Sequence, residues 1–183
     1  MKLKRTNPKH NIFFTADLHA GHSRIIGYAN RPFDSVEEMD EALIANWNSV
    51  VTERDEVFIL GDFSFRSHSQ YAKRLKGHKY LILGNHDKPR DALQAQKDGH
   101  FERVDDYCRL DINRQTFILF HYAIRQWDKK HHQAIHLFGH SHGQLPPFGW
   151  SFDVGVDAWD YTPISLQQVL DYVKTLDGDF SHY

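Results

Sequence analysis

The sequence predicts one domain of the α/β class, and three observations support this class. Short apolar runs alternate along the chain with stretches of helical periodicity. A length of 183 residues with 40% hydrophobic content is enough for one well-buried core, whereas two cores would be crowded. No linker rich in Pro, Gly or Ser, no internal repeat and no low-complexity segment divides the chain. Residues 1–183 are therefore expected to form a single domain.

Short apolar runs predict the β-strands. Their richness in Ile, Leu, Val and Phe is typical of strands that are buried on both faces. The runs are residues 11–16, 56–60, 79–83, 116–120, 134–138 and 152–156. Weaker strands are expected around residues 101–112.

Two helices are predicted by capping motifs. Ser35 and Glu38 form an S-x-x-E capping box, and Ser165 and Gln168 form the related S-x-x-Q. The apolar stripe at helical spacing after the first cap is Val36, Met39, Leu43, Trp47 and Val50. The stripe after the second cap is Leu166, Val169, Leu170 and Val173. Shorter helices are expected at residues 68–76 and 89–97.

Composition narrows the class of protein. The net charge is −2 with both signs interspersed, which argues against a protein that coats nucleic acid or an anionic membrane. No stretch approaches the roughly 20 apolar residues that cross a bilayer, and the basic N-terminus lacks the apolar run of a signal peptide. The single cysteine, Cys108, excludes an internal disulfide and fits a reducing compartment. We therefore expect a cytoplasmic protein without a membrane partner.

Potential metal ligands follow five of the apolar runs, three of them across a glycine. In chain order they are Asp17 and His19, then Asp62, then Asn85 with His86 and Asp87, then His121, and last His140 and His142. The chain has 14 histidines, and histidine is the commonest metal ligand. Because the carboxyl ends of parallel strands meet at one edge of a sheet, we expect these side chains to converge.

Each of these features alone has another explanation. Taken alone, Asp62 is as well explained by a helix N-cap or an Asx-turn as by a metal ligand. His121 alone is more typical of a hydrogen-bonded structural histidine. "GNHD" fits a simple turn, and "GHSH" alone is a weak metal signal. Five coincidences in one orientation are much less expected than any one of them, so the set as a whole favours a metal site.

The number and type of ligands predict a site with two metal ions. The candidates are Asp17, His19, Asp62, Asn85, His121, His140 and His142. None is a cysteine, which disfavours a closed structural zinc site. If one carboxylate is shared, the set makes two sites that leave positions open for water and substrate, and a metal-bridging hydroxide becomes available near neutral pH. Oxygen and imidazole ligands suit manganese, iron or zinc.

The motifs "DLH", "GDF", "GNHD", "FHY" and "GHSH", in this order over positions 17–142, resemble the calcineurin-like metallophosphoesterase family. The closing "FDVGVDAW…PISL" is similar to the last strand and helix of its small members. The resemblance implies a two-sheet β-sandwich flanked by helices, with a dimetal centre at one edge. It also implies hydrolysis of a phosphoester substrate by a metal-dependent phosphoesterase, with Mn²⁺ favoured over Fe or Zn²⁺.

The resemblance implies a role for each matching residue. The first metal would be held by Asp17, His19 and His142, and the second by Asn85, His121 and His140, with Asp62 bridging the two. His86 would be the catalytic imidazole, and Asp87 would shape the loop.

Two departures from the family pattern affect these roles. Phe65 stands where many members carry an acid that orients the catalytic histidine, and "DLHAGH" brings His22 within reach of the site.

Substrate contacts are the least specified part of the prediction. His22, Arg24, Arg31 and Arg66 are candidate phosphate-binding residues, although each arginine is as well explained as a solvated surface charge. The segment with Trp127, His131 and His132 either lines the substrate entrance or is a plain exposed loop.

Three functions are considered. The first, which we favour, is a phosphodiesterase for nucleotides or nucleic acids. The others are a broad-specificity phosphomonoesterase and a metal-binding scaffold without chemistry. No protein partner is predicted.

Overall fold

Strands and helices alternate in the computed structural model, which describes residues 1–178. The strands are β1 Lys2–Arg5, β2 Ile12–Thr15, β3 Glu56–Leu60, β4 His78–Ile82, β5 Arg103–Asp105, β6 Cys108–Ile112, β7 Gln115–Leu119, β8 Ile135–Phe138, β9 Ser151–Asp153 and β10 Ile164–Ser165. The α-helices are α1 Ser23–Tyr28, α2 Val36–Val50, α3 His68–Ala72, α4 Pro89–Lys97 and α5 Leu166–Val173. Short 3₁₀-helices lie at Lys130–His132 and Val156–Ala158.

The strands form two five-stranded mixed sheets. The first sheet has the order β1-β6-β7-β8-β9, and the second has the order β10-β2-β3-β4-β5. Strands β2 to β5 of the second sheet run parallel, as do β7, β8 and β9 of the first. The antiparallel pairs are β6 with β7 and β10 with β2. Parallel pairing brings the carboxyl ends of consecutive strands to one edge, which prepares that edge for a binding site.

The two sheets pack face to face around an aromatic interior. The ring centroid of Phe14, on the second sheet, lies 5.9 Å from that of Phe58 and 5.7 Å from that of Phe117, on the first sheet. All three rings are fully buried. Helix α5 inserts Val169 and Val173 into the same interior. The fold class predicted from the sequence, a two-sheet α/β sandwich flanked by helices, is confirmed.

Helix α2 covers the outer face of the second sheet. Its cap forms as predicted, because Ser35 Oγ accepts a hydrogen bond of 3.1 Å from the Glu38 N–H. Met39, Leu43 and Trp47 are buried against the sheet. The predicted stripe is wrong at its last residue: Val50 is 38% exposed, and Val51, just beyond the helix, takes the buried position.

The observed boundaries of the remaining helices agree with the predicted ones to different degrees. Helix α4 spans the predicted residues, and α5 begins with a complete capping box between Ser165 and Gln168. Helix α3 is shorter than predicted. Arg74 and Leu75 donate to carbonyls three residues earlier, at Tyr71 and Ala72, so the α-helical pattern gives way to tight turns. Among residues 1–178, no helix has the length and apolar content to span a membrane.

Candidate metal centre

Two groups of potential metal ligands form where the carboxyl ends of the parallel strands meet. The first group is Asp17, His19 and His142, and the second is Asp62, His121 and His140. Within each group, one donor atom from each residue lies within 4.8 Å of the others. Distances of this size leave room for one cation between three donors.

Both sheets contribute to each group. Asp17, His19 and Asp62 follow strands β2 and β3 of the second sheet. His121, His140 and His142 follow β7 and β8 of the first sheet. Each group therefore joins loops from opposite layers of the sandwich, and neither layer could build a group alone.

Asp62 lies between the two groups. Its Oδ2 atom is 3.4 Å from His19 Nε2 and 3.6 Å from His121 Nε2. Its Oδ1 atom accepts a hydrogen bond of 2.8 Å from the His86 N–H. One oxygen of Asp62 thus faces a histidine of each group, which is the placement that a bridging ligand needs.

Asn85 adds a neutral oxygen beside the second group. Its Oδ1 atom lies 2.9 Å from His121 Nε2. Asn85 is exposed, as are His86 and His140, so this side of the centre is open to solvent. The structure therefore brings all seven predicted ligands to one edge of the molecule.

The backbone of the ligand segments turns sharply at the strand ends. Five ligand residues have a positive φ: Asp17 at 57°, His19 at 52°, Asp62 at 53°, His140 at 65° and His142 at 49°. This left-handed region is disfavoured for residues with a Cβ atom, and such conformations cluster at functional sites. The turn directs the side chains back across the edge of the sheets, where the groups assemble.

Two glycines allow the loops to approach Asp17 closely. A Cβ atom on Gly139 would lie 2.6 Å from Asp17 Oδ2, and one on Gly155 would lie 2.7 Å from the same oxygen. Any side chain at either position would displace the carboxylate. Glycine at both positions therefore leaves space for the Asp17 carboxylate.

The donor atoms at the centre fit a cation. Among residues 1–178, the buried atoms without a hydrogen-bond partner include Asp17 Oδ1 and both ring nitrogens of His19. An unpartnered buried polar atom is costly, and a metal ion would provide the missing interaction. Burial, reinforced by the carboxylates of Asp153 and Asp62, raises the pKa of Asp17 well above its usual value. A divalent cation at this position would stabilise the ionised form of Asp17.

His19 is held in its neutral form, which is the form that binds metal. Burial, together with the positive charge of Arg31 and the ring of His142, lowers the pKa of His19 to about 2. At neutral pH one ring nitrogen therefore has a lone pair available to a metal without loss of a proton.

Hydrogen bonds orient two other candidate histidines. His121 Nδ1 lies 2.7 Å from the carbonyl oxygen of Leu60, and His142 Nδ1 lies 2.6 Å from Asp157 Oδ2. With the proton on Nδ1 in each ring, Nδ1–H donates to that oxygen and Nε2 keeps its lone pair for a metal. Such outer hydrogen bonds fix the tautomer and orientation of ligand histidines.

Arg31 and Asp157 form a buried pair beneath the first group. The guanidinium donates from Nε to Asp157 Oδ1 and from Nη2 to Asp157 Oδ2, both at 2.8 Å. It also donates to the carbonyl oxygens of Asp17 at 2.6 Å and Leu18 at 3.0 Å. Arg31 is only 4% exposed. The structure thus places Arg31 as a positioning residue behind the ligands, in contrast to the substrate contact expected from the sequence.

Asp87 shapes the loop that carries Asn85 and His86, as the sequence suggested. Its carboxylate accepts hydrogen bonds from the N–H groups of Asp62 at 2.8 Å, Phe63 at 3.0 Å and Gly84 at 2.9 Å. His68 Nε2 lies 2.9 Å from the same carboxylate. One buried side chain therefore joins the loop after β4 to the loop after β3.

An aromatic stack lies beside His86. The ring of Phe65 is 4.9 Å from the ring of His86, and it stacks on the ring of His22 at 3.6 Å with an angle of 13°. The ring of His22 is 5.5 Å from that of His19. At the position where an acid commonly orients the catalytic histidine, Phe65 packs against His86 instead.

Other candidate substrate residues divide between surface and interior. Arg24, on α1, and Arg66, in the loop after β3, are exposed. His131 and His132 are exposed as well. Trp127 is only 6% exposed and donates from Nε1 to the Ala134 carbonyl oxygen at 2.9 Å, so it does not line an entrance.

Comparisons with known proteins agree with this geometry. Residues 11–146 match the sequence model of the calcineurin-like phosphoesterase superfamily domain. An uncharacterised protein of Methanocaldococcus jannaschii is 32% identical over 176 residues, which cover 89% of this chain and 91% of the relative. The gene 66 protein of Mycobacterium phage L5 is 31% identical, over 90% of this chain and 94% of the relative. A crystal structure of an Aquifex aeolicus protein of unknown function has a similar fold, with a TM-score of 0.72 and 21% identity over 90% of this chain and 100% of that chain.

Proposed function

The chain belongs to the calcineurin-like phosphoesterase superfamily, and from this membership we propose that it hydrolyses phosphodiester bonds of nucleotides or nucleic acids. The family supports metal-dependent phosphoester hydrolysis in general. The observation that carries the proposal is the pair of donor groups with Asp62 between them. We propose two divalent ions, with manganese as the favoured metal, and the cytoplasm as the compartment.

The proposed metal ligands follow the two groups. Asp17, His19 and His142 would hold one ion, and Asn85, His121 and His140 would hold the other, with Asp62 shared. When bound, the two ions supply Lewis-acid chemistry, in that they lower the pKa of water and neutralise charge on phosphoryl oxygens.

His86 is proposed as the catalytic residue. It is exposed at the open side of the centre, and its backbone N–H is fixed to Asp62 Oδ1. Phe65 packs against its ring, which limits the rotation of the imidazole. From this position His86 would donate a proton or a hydrogen bond to the oxygen that leaves phosphorus. The exposed Arg66 directly follows Phe65 in the chain, and we propose it as a contact for phosphoryl oxygens.

The open side of the centre favours a diester over a monoester. Asn85, His86 and His140 are all exposed, so a phosphate with two organic substituents would have room for both. A broad-specificity phosphomonoesterase is the alternative enzyme. A metal-binding scaffold is disfavoured because all seven candidate ligands are present and converge.

A paired assay tests the proposal. We expect the purified chain to contain about two metal ions and to hydrolyse bis-para-nitrophenyl phosphate faster than para-nitrophenyl phosphate in Mn²⁺. A chelator should remove both activities. Asp62→Asn should lose activity and metal together, because the shared carboxylate serves both ions. Asp106→Asn, an exposed residue outside the site, is the matched control and should retain both.

The outcomes separate the three functions. Faster hydrolysis of the monoester would identify a phosphomonoesterase. Less than one metal ion per chain with no hydrolysis of either ester would identify a scaffold, and the enzyme proposal would be rejected.

A further inference from the structure

A pocket opens next to the second ligand group, on the side of the first sheet. It has a volume of about 350 Å³. Its lining includes Ala123, Ile124, Arg125, Phe138, Leu145 and Phe148. Ala123 is two residues after the ligand His121, and Phe138 is two residues before the ligand His140. The pocket is therefore built by the same two loops that present the metal ligands, and its volume suits one small organic group.

Exposed apolar side chains line the pocket and also lie beside the centre. Tyr122, Leu145 and Phe148 are 38%, 49% and 50% exposed, and they are half of the six large hydrophobic residues exposed in residues 1–178. The ring of Tyr122 lies 4.9 Å from that of His121 and 4.8 Å from that of His140. Exposed apolar surface concentrated beside a polar site is typical of a binding surface.

Cations flank the most exposed aromatic ring of the pocket. The guanidinium carbon of Arg125 lies 5.9 Å from the centre of the Phe148 ring, and Lys130 Nζ lies 4.5 Å from it. Arg125 and the buried Ser151 are the polar residues of the lining. The pocket thus combines flat apolar walls with a hydrogen-bond donor and a positive charge, which suits a polar heterocycle attached to a phosphate.

The loop that carries Phe148 is stiff. Pro146 and Pro147 precede it and fix their own φ angles. The Phe148 N–H donates to the Ser151 carbonyl oxygen at 3.0 Å. A ring held in place before a ligand arrives loses little conformational entropy when the ligand binds.

We infer that this pocket binds the nucleobase of the substrate nucleotide while the phosphate lies at the metal centre. The inference rests on the proposed phosphoesterase function, and it assigns a binding site to the base of the substrate. A base would stack on Phe148, and its polar edge would meet Arg125 and Ser151. A long acyl chain is a poor occupant, because the pocket is shallow enough to leave Leu145 and Phe148 half exposed.

Ligand binding to the full chain tests the inference. In Mn²⁺, the wild type should bind adenosine 5′-monophosphate about tenfold or more tightly than ribose 5-phosphate, since one base stack contributes about 1–3 kcal/mol. Phe148→Ala should bring this ratio close to one, and Arg125→Gln should reduce it. Val50→Ala removes an exposed apolar side chain just before β3, at the opposite edge, and should leave the ratio unchanged.

Binding of adenosine to the chelated chain, followed by NMR, separates the two proposals. Adenosine binding that Phe148→Ala removes would support the pocket even if no ester were hydrolysed, in which case the proposed function alone would fail. Equal affinity of the wild type for the two phosphates, or an unchanged ratio in a folded Phe148→Ala, would overturn the inference although hydrolysis persisted. The melting temperature of each variant verifies that it is folded.

Discussion

At the scale of residues, the centre depends on side chains that start from a strained backbone. Left-handed conformations cost roughly 1–3 kcal/mol each for residues other than glycine. Asp62 and His140 are both in this region, yet each is tied to its surroundings. The Asp62 N–H donates to Asp87, and the His140 N–H donates to Asp17 Oδ2 at 2.8 Å. Hydrogen bonds to neighbouring carboxylates thus hold both candidate ligands in these conformations.

His86 gives the sharpest prediction at this scale. His86→Ala should keep both metal ions and lower kcat by about 100- to 10,000-fold with little change in KM, because a proton donor acts mainly in the transition state. Metal analysis and steady-state kinetics measure the two effects. His10→Ala, an exposed histidine before β2 at the opposite edge, should change neither. A His86 variant that loses its metals would assign this residue to the ligands instead.

At the scale of elements, Asp87 connects the loops after β3 and β4. Asp87→Ala would leave the N–H groups of Asp62, Phe63 and Gly84 without their acceptor. Since a buried donor without a partner costs about 1–3 kcal/mol, the free energy of unfolding should fall by about 3 kcal/mol or more. Urea denaturation of the chelated chain measures the loss. For the control Asp106→Ala, at an exposed position, the free energy of unfolding should fall by less than about 0.5 kcal/mol. A loss that small in Asp87→Ala would show that water replaces the carboxylate.

The elements that the sequence predicted are those with strong local signals. Strands such as β3 and helix α2 carry apolar runs or caps within their own residues. Strand β1 was not predicted, because three of its four residues are charged and its pairing with β6 is distant. Helix α1 has only six residues and no side-chain cap, so its pattern is too short to detect.

The candidate site was predictable to the extent that its residues sit in motifs. All seven ligand positions follow apolar runs and converge as expected. The pair of Arg31 and Asp157 could not be found in this way, since 126 residues separate the partners and no local pattern links them. The stack of His22 on Phe65 depends likewise on how two loops fold against each other.

At the scale of the whole molecule, a buried histidine outside the centre makes stability depend on pH. His136 is 0% exposed, and burial lowers its pKa from 6.5 to about 4. His136 Nδ1 lies 3.1 Å from the Ile118 carbonyl oxygen. His136 Nε2 accepts a hydrogen bond of 3.3 Å from the Ile124 N–H. As the pH falls below 6.5, His136 becomes protonated in the unfolded chain but stays neutral in the folded chain. The free energy of unfolding therefore decreases as the pH falls toward 4.

Between pH 7.5 and pH 5, His136 should account for a loss of about 2 kcal/mol in the free energy of unfolding. Urea denaturation in chelator at both pH values measures the total loss for each variant. The loss in the free energy of unfolding should be about 2 kcal/mol smaller in His136→Gln than in the wild type. The loss in the exposed control His10→Gln should equal that of the wild type. An equal loss in all three chains would mean that His136 is protonated in the folded state.

The division of each ligand group between the two sheets also has a mechanical consequence. His142 lies 125 residues after Asp17, and the two residues belong to the same ligand group. An ion held by both layers is therefore a cross-link that closes a very long loop of the unfolded chain, as a disulfide does in a secreted protein. The chain has one cysteine and cannot form such a bond within itself. A bound metal would serve as a reversible cross-link instead. Metal binding would then both complete the catalytic site and stabilise the packing of the two sheets.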